Sequence, residues 1–462
     1  MLRRLYDIIL ESLRGEERDY TAMGIRRAIV LLSIPMILEM GMEALFALVD
    51  TFFVSKLGTV ATATITLTET WMVPVYSIAW GLGMGITAVV ARRTGEKDKN
   101  AGRIAAGQSL MIAVITGVVL AVPAVIAAPW LLQVMGAEPA VLVSAVPYAR
   151  LMFASNLIVT LLFAMNAVFR GAGNANIALR TLVIANLINC VLDPLFIFGI
   201  GPFPAMGVQG AAVATTIGRS IGVLFLLWNL FRADGLLAVR LSDLRPIGSV
   251  VQNIVKVSMG GIGQFLIASL SWVFLVRVVA EFGTDAVGGY GVAVRIIIVA
   301  LLPAWGMANA AATLVGQNLG AEQPGRAQSS VWLCGHYNMF FMVLITLFFW
   351  LAAPWVVSFF SQGAEADAYS ISALRVISLG YFFYGYGMVL AQALNGAGDS
   401  LTPTWLNVIC FWLIEIPLAW ALAKPLGMGP VGVFTSVAIS ESILAVLCAI
   451  IFQRGKWKTV KV

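Results

Sequence analysis

Long apolar stretches, separated by short polar connections, occupy almost the whole of this 462-residue chain. A membrane-spanning α-helix needs about 20 apolar residues to cross the hydrocarbon core, and each stretch supplies them. The pattern therefore predicts twelve transmembrane helices, which we number as spans 1 to 12. They cover residues 25–54, 64–91, 104–128, 141–169, 177–201, 206–231, 248–280, 286–316, 328–357, 368–394, 402–422 and 429–453.

The chain also contains two copies of one unit. Trp80-Gly81 returns as Trp305-Gly306, and Gly171-Ala172-Gly173-Asn174 returns at the same offset as Gly396-Ala397-Gly398-Asp399. Six spans in each copy bring the chain back to its starting side, so both copies share one orientation. A pseudo-two-fold axis along the membrane normal should relate them. Many secondary transporters are built in this way, with the substrate path between the copies.

Composition and charge agree with a polytopic, all-α membrane protein. Hydrophobic residues make up 60% of the chain and charged residues 11%, and the mean hydropathy is +0.92. With the N-terminus inside, the inner loops and tails hold 22 Lys and Arg residues and the outer ends hold six. This bias predicts an inner (plasma) membrane protein with both termini cytoplasmic. The net charge of +6 matches anionic membrane lipid and requires no nucleic-acid partner.

The predicted organisation leaves no room for a soluble domain. It comprises an N-terminal segment (1–24), an N-terminal lobe (25–231), a linker (232–247), a C-terminal lobe (248–453) and a tail (454–462). The four cysteines and the single histidine form no disulfide framework and no metal-ligand set. An enzyme is therefore not indicated, no cofactor is expected, and energy should come from an ion gradient.

Acidic residues within span 1 are the first candidates for chemistry, because an ionisable group inside a membrane costs several kcal/mol. Glu39, Glu43 and Asp50 are spaced i, i+4 and i+11, which places all three carboxylates on one stripe of the helix. Pro35 lies one turn before them, and its missing N–H should let the helix bend there.

Span 5 supplies a fourth acid at a depth similar to that of Asp50. Asn189 and Asp193 are spaced i, i+4 and face one way, and Thr215 on span 6 adds a hydroxyl. Such hard oxygen ligands suit Na⁺, so a sodium site is a candidate. The two carboxylates could instead share a proton. The C-terminal copy is poorer in acids and carries Glu415 and Glu441 on spans 11 and 12.

A substrate cavity should be apolar and aromatic with a few polar groups. Tyr76 on span 2 and Tyr384 with Met388 on span 10 are candidates for its wall, beside Glu39 and Glu43. Aromatic faces near carboxylates suit lipophilic cations. The same aromatic residues could equally be ordinary interfacial anchors.

The sequence resembles the multidrug and toxic compound extrusion (MATE) transporters over essentially the whole length of the chain. The stretches that carry the resemblance are Pro35 with 48–54 and 57–58, then 170–175, 189–194 and 207–215. The resemblance implies two six-helix bundles around a V-shaped cleft, and export of drugs or metabolites in exchange for inward-moving H⁺ or Na⁺.

Within this family the chain looks most like the branch of DNA-damage-inducible F-type and archaeal transporters. That resemblance implies a cation site made of Asp50, Asn189 and Asp193, with Thr215, and a bending proline at Pro35. The branch also uses an asparagine on span 4, for which Asn166 and Asn156 are the candidates. The NorM-like branch has acids at positions that here read Ala268 and Gly385, so no cation site is expected in the C-terminal lobe.

The sequence thus predicts a monomeric H⁺- or Na⁺-coupled antiporter that exports drugs, organic cations or related small organic molecules. The alternative is a lipid-linked oligosaccharide flippase of related architecture, which would need a cationic cavity. A passive channel or sensor is a third possibility, against which the duplicated lobes and buried carboxylates argue.

Overall fold

A computed structural model describes the backbone of every residue except Met1, Glu16, Glu17, Glu138 and Asp234. The side chains of residues 2–6, 47, 48, 50–52, 54, 55, 59, 62 and 140 also lie outside the described part. Asp50, one of the predicted cation ligands, is among them, so only its backbone position is considered below.

The described chain consists of helices and connecting turns. The α-helices are α1 (Leu2–Leu13), α2 (Ile25–Ser55), α3 (Thr59–Gly95), α4 (Lys99–Val134), α5 (Pro139–Ala154), α6 (Asn156–Gly171), α7 (Ala175–Phe198), α8 (Val208–Phe231), α9 (Gly248–Ala280), α10 (Thr284–Gly320), α11 (Pro324–Ser358), α12 (Ala364–Ser378), α13 (Tyr381–Gly396), α14 (Leu401–Asn407), α15 (Ile416–Ala423) and α16 (Pro430–Arg454). A π-helical segment, Val408–Glu415, joins α14 to α15, and short 3₁₀ turns cover Leu241–Leu244 and Lys456–Thr459.

The predicted all-α membrane fold is confirmed. Eleven helical segments of the described chain are long and apolar enough to cross a membrane. The remaining predicted span, span 10, is a pair of helices, α12 and α13, bent by 61°. Span 4 is formed by α5 and α6 together, and α14, the π segment and α15 together form span 11.

The two sequence copies form two lobes, which meet where α3 packs on α9 and where α10 packs on α2 and α3. The core of the N-terminal lobe gathers residues of α3, α4, α6 and α8, including Ile86, Val168 and Leu226. The core of the C-terminal lobe gathers α10, α11, α13 and α16, and it also takes in the first turns of α2, at Ile29 and Leu32. The beginning of α2 therefore packs on the opposite lobe and ties the two together.

Paired glycines mark the pseudo-two-fold axis between α3 and α10. A Cβ built on Gly95 would lie 2.0 Å from the carbonyl oxygen of Gln317, and one on Gly320 would lie 2.2 Å from that of Arg92. The repeat maps Arg92 onto Gln317 and Gly95 onto Gly320, at the same offset that relates the two Trp-Gly pairs. The two close approaches are therefore the same contact seen from each lobe, and only residues without a Cβ permit them.

We call the end of the bundle that holds these glycines and both chain termini the terminal end. Further close inter-lobe approaches run from it towards the middle of the bundle. Built Cβ atoms on Gly85 and Gly81 would lie 2.2 Å from Ser258 Oγ and from the backbone nitrogen of Ile262. Helices α3 and α9 are thus in backbone contact, and this contact together with the paired glycines seals the terminal end.

Polar contacts reinforce this seal. Arg92 donates hydrogen bonds to the carbonyl oxygen of Ala397 in the C-terminal lobe (3.3 Å) and to that of Val460 in the C-terminal tail (2.9 Å). Gln317 donates to the carbonyl oxygen of Gly171 in the N-terminal lobe (3.0 Å). The linker packs against α4, where Gln108 donates to the carbonyl oxygen of Asp243 (2.7 Å).

Candidate functional site

Three of the predicted cation ligands meet inside the N-terminal lobe. The amide nitrogen of Asn189 donates to Asp193 Oδ1 (3.1 Å) and lies 3.3 Å from Thr215 Oγ1. Asn189 and Asp193 are 0% exposed and Thr215 is 5% exposed. Asn189 Oδ1 has no hydrogen-bond partner among the described residues, so one buried oxygen is left to accept. An unsatisfied buried oxygen is costly, and a cation or a protonated group would offset that cost.

Backbone geometry puts Asp50 at the depth of this cluster. Asn186 on α7 donates to the carbonyl oxygen of Met42 on α2 (2.7 Å), which fixes the register of the two helices. Three membrane crossings separate α2 from α7, so both run in the same direction. At 1.5 Å rise per residue, Asp50 lies about 12 Å beyond Met42, and Asp193 about 10 Å beyond Asn186.

The same reasoning separates the two asparagines predicted for span 4. Arg170 on α6 pairs with Glu39 on α2, and these helices are antiparallel. Counted along α6 from this pair, Asn166 lies about 6 Å away and Asn156 about 21 Å away. Counted along α2 in the same direction, Asp50 lies about 16 Å away. Asn156 is thus closer to the depth of Asp50. It is 0% exposed, and neither of its side-chain polar atoms has a partner among the described residues.

Glu39 is held in a buried ion pair that the sequence did not indicate. Its Oε1 lies 2.7 Å from Arg170 Nη1, and its side chain is 1% exposed. Glu43, one turn further along α2, is partly buried and interacts electrostatically with Arg219 and Arg170. Arg170 therefore neutralises Glu39, and Glu43 lies under the influence of both arginines.

Pro35 lies within α2, which continues through it as one helix from Ile25 to Ser55. The proline cannot donate the backbone hydrogen bond expected at its position, so α2 is weakest there. Just beyond it, a Cβ built on Gly306 of α10 would lie 2.6 Å from Ile37 Cα. The weak point of α2 thus adjoins a backbone contact with the opposite lobe.

A cavity of about 40 Å³ lies between the lobes above the seal. Its walls include Trp80 and its repeat counterpart Trp305, whose ring centroids are 6.1 Å apart. Phe265 stacks on Trp305 at 5.7 Å, and Phe163 lies 5.8 Å from Trp80. The polar part of the lining is Thr87, Arg170, Asn309, Gln392 and Asn395. Aromatic walls with a few polar groups are typical of sites for small organic ligands, which occupy about 300–1,000 Å³, so the lobes must part further to admit one.

The residues predicted for the substrate cavity fall in different places. Tyr76 packs edge-on against Phe163 at 6.3 Å, next to the inter-lobe cavity, and its hydroxyl accepts from Arg219 (3.3 Å). Tyr384 instead lines a second cavity, inside the C-terminal lobe, and Met388 is 4% exposed within that lobe's core. Glu39 reaches the inter-lobe cavity through its partner Arg170, which lines it.

The aromatic core of the inter-lobe cavity was missed as a site, although its signal was present. Trp80 and Trp305 are the most visible markers of the repeat. Two equivalent residues that lie near a pseudo-two-fold axis must face each other across it. The repeat therefore contained the information that both indoles meet at the lobe interface.

Comparisons with known proteins agree with this architecture. The MatE family model matches residues 35–195 and 262–421, one match in each lobe. The chain is 24% identical over 436 residues to the "Probable multidrug resistance protein NorM" of Thermotoga maritima, covering 94% of this chain and 93% of that protein. It is 26% identical over 430 residues to the FAD transporter of Shewanella oneidensis, covering 93% and 95%.

A solved structure agrees equally well. An outward-facing multidrug resistance MATE family transporter of the MOP superfamily superposes with a TM-score of 0.88 at 27% identity, covering 97% of this chain and 98% of that one. Because the family model matches well over half of the chain and falls on both repeats, the chain belongs to the MATE family of multidrug efflux transporters, which are not enzymes.

Proposed function

We propose that this chain is a cation-coupled antiporter that exports drugs, organic cations or related small organic molecules across the inner membrane. The observation that carries the proposal is the buried cluster of Asn189, Asp193 and Thr215. A carboxylate, an amide and a hydroxyl in a dry lobe interior form a cation site rather than a packing contact, because Asn189 Oδ1 is left to accept. Asp50 and Asn156 complete the set, at the depths derived above.

Helix α2 is the element that couples this cluster to the substrate path. It carries Asp50 near one end, Glu39 in the middle and Pro35 between Glu39 and the terminal end. Binding of H⁺ or Na⁺ beside Asp50 changes the charge that α2 presents to α7. The helix responds by bending at Pro35, where a backbone hydrogen bond is already missing. This bend narrows the inter-lobe cavity and releases the substrate.

The chemistry of the cavity supports small organic cargo. Trp80, Trp305, Phe265 and Phe163 present flat aromatic faces, and such faces attract organic cations. The names of the two relatives, a multidrug resistance protein and an FAD transporter, also point to aromatic or drug-like cargo. A flippase for a pyrophosphate lipid would need free cations here, whereas Arg170 is engaged by Glu39.

Orientation, branch and oligomeric state complete the proposal. The excess of Lys and Arg at the terminal end favours cytoplasmic termini, so the cleft opens to the outside. The pairing of Asn189 with Asp193 and Thr215, together with Ala268 and Gly385, favours the branch of DNA-damage-inducible F-type and archaeal transporters. A monomer suffices, because the cavity lies between two lobes of one chain.

The test is efflux of ethidium from proteoliposomes with pH and Na⁺ gradients imposed separately. We expect one of the two gradients to drive efflux, and Asp193→Asn and Asp50→Asn to abolish it without loss of folded protein. Asp285→Asn, an exposed acid at the start of α10, is the matched control and should transport normally. Full gradient-driven efflux in Asp193→Asn would refute the assigned cation site.

A further inference from the structure

The C-terminal lobe contains an acidic cluster that the proposed antiport site does not use. Glu415, at the end of the π segment, is 2% exposed, and Glu441 lies on α16. The Oε2 atoms of both carboxylates are buried without a hydrogen-bond partner among the described residues. The two carboxylates also interact electrostatically with each other. Two neighbouring acids therefore lie inside the lobe, Glu415 buried and Glu441 half-buried.

A second cavity adjoins this pair. It measures about 40 Å³, and Glu441 lines it together with Tyr290, Tyr381 and Tyr384. Tyr381 is 3% exposed, and its hydroxyl has no partner among the described residues. Three phenols thus surround a carboxylate, and at least one of them faces the cavity with an unused donor.

No cation balances the pair among the described residues. The titratable groups that interact with it are the three tyrosines on α10 and α13, with Cys410 on the π segment and Cys448 on α16. The adjacent helices α9 and α12 carry Arg277 and Arg375, but neither arginine acts on Glu415 or Glu441. Two neighbouring carboxylates inside a lobe disfavour a doubly ionised state when no counter-charge is near, so the pair favours keeping a proton.

The repeat explains why the occupant is a proton rather than Na⁺. The backbone hydrogen bond from Met206 to Phe196 has its counterpart in the bond from Met428 to Leu422, and this match places Glu415 at the position of Asn189 and Ala419 at that of Asp193. At the shorter offset that relates Met206-Gly207 to Met428-Gly429, Thr215 corresponds to Val437. The C-terminal lobe thus has an acid where the N-terminal lobe has an amide, and it replaces the carboxylate and hydroxyl ligands with apolar side chains. Na⁺ prefers several oxygen ligands, whereas a proton needs only one carboxylate and a hydrogen-bond partner.

The backbone around Glu415 also departs from a regular helix. Val408–Glu415 is π-helical, and Pro417 follows two residues later without a backbone N–H to donate. Short π segments inside membrane helices are frequent at functional sites. The segment that carries Glu415 can therefore change its hydrogen-bonding register when the carboxylate changes charge.

We propose that Glu415 and Glu441 form a second proton-binding site, in the C-terminal lobe. The pair takes one H⁺ from water in one conformation and returns it to water in the other, with Tyr381 donating to the carboxylate that stays ionised. This site rests on the proposed antiport function for its role in the cycle, but its protonation does not depend on transport. It adds one proton to each turn of the cycle.

The test counts the protons displaced when ethidium binds to purified protein in a weakly buffered solution with a pH-sensitive dye. We expect Glu415→Gln and Glu441→Gln to displace about one proton fewer per ethidium than the unmodified protein. Glu365→Gln, an exposed acid at the start of α12, is the matched control and should leave the count unchanged. An unchanged count in both Glu415→Gln and Glu441→Gln would overturn the second site.

Infrared spectroscopy separates this inference from the antiport proposal and from misfolding. The C=O stretch of a buried protonated carboxyl should be present in the unmodified protein at neutral pH, and a component of it should be lost in Glu441→Gln. It should persist in Asp193→Asn, even if that variant transports nothing. If the band is absent from the unmodified protein, or keeps its full intensity in both Gln variants, the C-terminal site is refuted whatever the fate of the antiport proposal. Replacement of NaCl by choline chloride should leave the band unchanged.

Discussion

The paired glycines at the terminal end allow the inter-lobe seal to be tested directly. Ordinary van der Waals contact begins at 3.4 Å, whereas Cβ atoms on Gly95 and Gly320 would lie 2.0 and 2.2 Å from opposing carbonyl oxygens. Alanine at either position therefore requires α3 and α10 to separate by about 1.2 Å or more, because packed backbones have no free space to give. The conformation in which the lobes meet at the terminal end bears this strain, and a conformation in which they are separated there does not.

The size of the effect follows from the packing. Forcing a methyl group into a well-packed contact costs about 1–3 kcal/mol. If only the sealed conformation carries that cost, the equilibrium between the two conformations shifts by roughly 5–150-fold. The hydrogen bonds from Arg92 to Ala397 and Val460 span the same contact and should weaken with it. We expect Gly95→Ala and Gly320→Ala to lower the melting temperature and to reduce gradient-driven efflux.

A cysteine at Asn309 reports which side the cavity faces. This residue lines the inter-lobe cavity, and the native cysteines are first replaced. In the sealed protein a membrane-impermeant maleimide should label this cysteine only from the side of the membrane opposite the terminal end. Gly95→Ala and Gly320→Ala should add labelling from the terminal end, whereas Gly102→Ala, with open space around its Cβ, should not. One-sided labelling and normal efflux in both variants would refute the assignment of these glycines as the seal.

Three further predictions concern the ion pairs and the cavity wall. Replacing Arg170 by Met leaves Glu39 buried without its partner and should lower the free energy of unfolding by about 3–5 kcal/mol. Replacing Glu39 by Met as well should recover most of this loss, as measured by thermal unfolding. Trp80→Ala should weaken ethidium binding by about 0.5–2 kcal/mol, which would appear as a higher KM with a smaller change in kcat. An unchanged KM would show that ethidium does not bind against Trp80. Burial acts to raise the pKa of Asp19, but hydrogen bonds including one from Lys97 outweigh it and lower the pKa to about 2 from 3.8. Because this pKa is lowered in the folded protein, the ion pair stabilises the fold above about pH 4 and is lost as the pH falls towards 2. Lys97→Met should therefore reduce the acid dependence of the melting temperature, and an unchanged profile would contradict this.

The spans and the repeat could be predicted because they are set by local composition and by self-similarity. Spans as long as Lys99–Val134 are evident from hydropathy alone. The Asn189–Asp193 contact was predictable because it lies within one helix at i, i+4, where geometry leaves no choice.

Contacts between distant helices were harder to predict. Glu39 and Arg170 are 131 residues apart, and nothing local to either residue specifies the other. The position of Tyr384 was likewise hidden, because α13 begins after a bend of 61° that turns its aromatic face into the C-terminal lobe. A continuous span 10 would have been compatible with an inter-lobe position. Periodicity along one helix carries no information about such a break.

The two lobes share a backbone but divide the chemistry between them. Both must meet at one axis, so the glycines at the seal are repeated, whereas the coupling element is not. At the offset that relates the two Trp-Gly pairs, Pro35 becomes Gly260 and Asp50 becomes Leu275, so α9 lacks both the weak point and the acid of α2. The C-terminal lobe therefore has no counterpart of α2 as a coupling helix. A proton bound in that lobe acts through the π segment instead. It follows that Asp193→Asn should uncouple ethidium from the driving ion, whereas Glu441→Gln should change the number of protons moved and leave coupling in place.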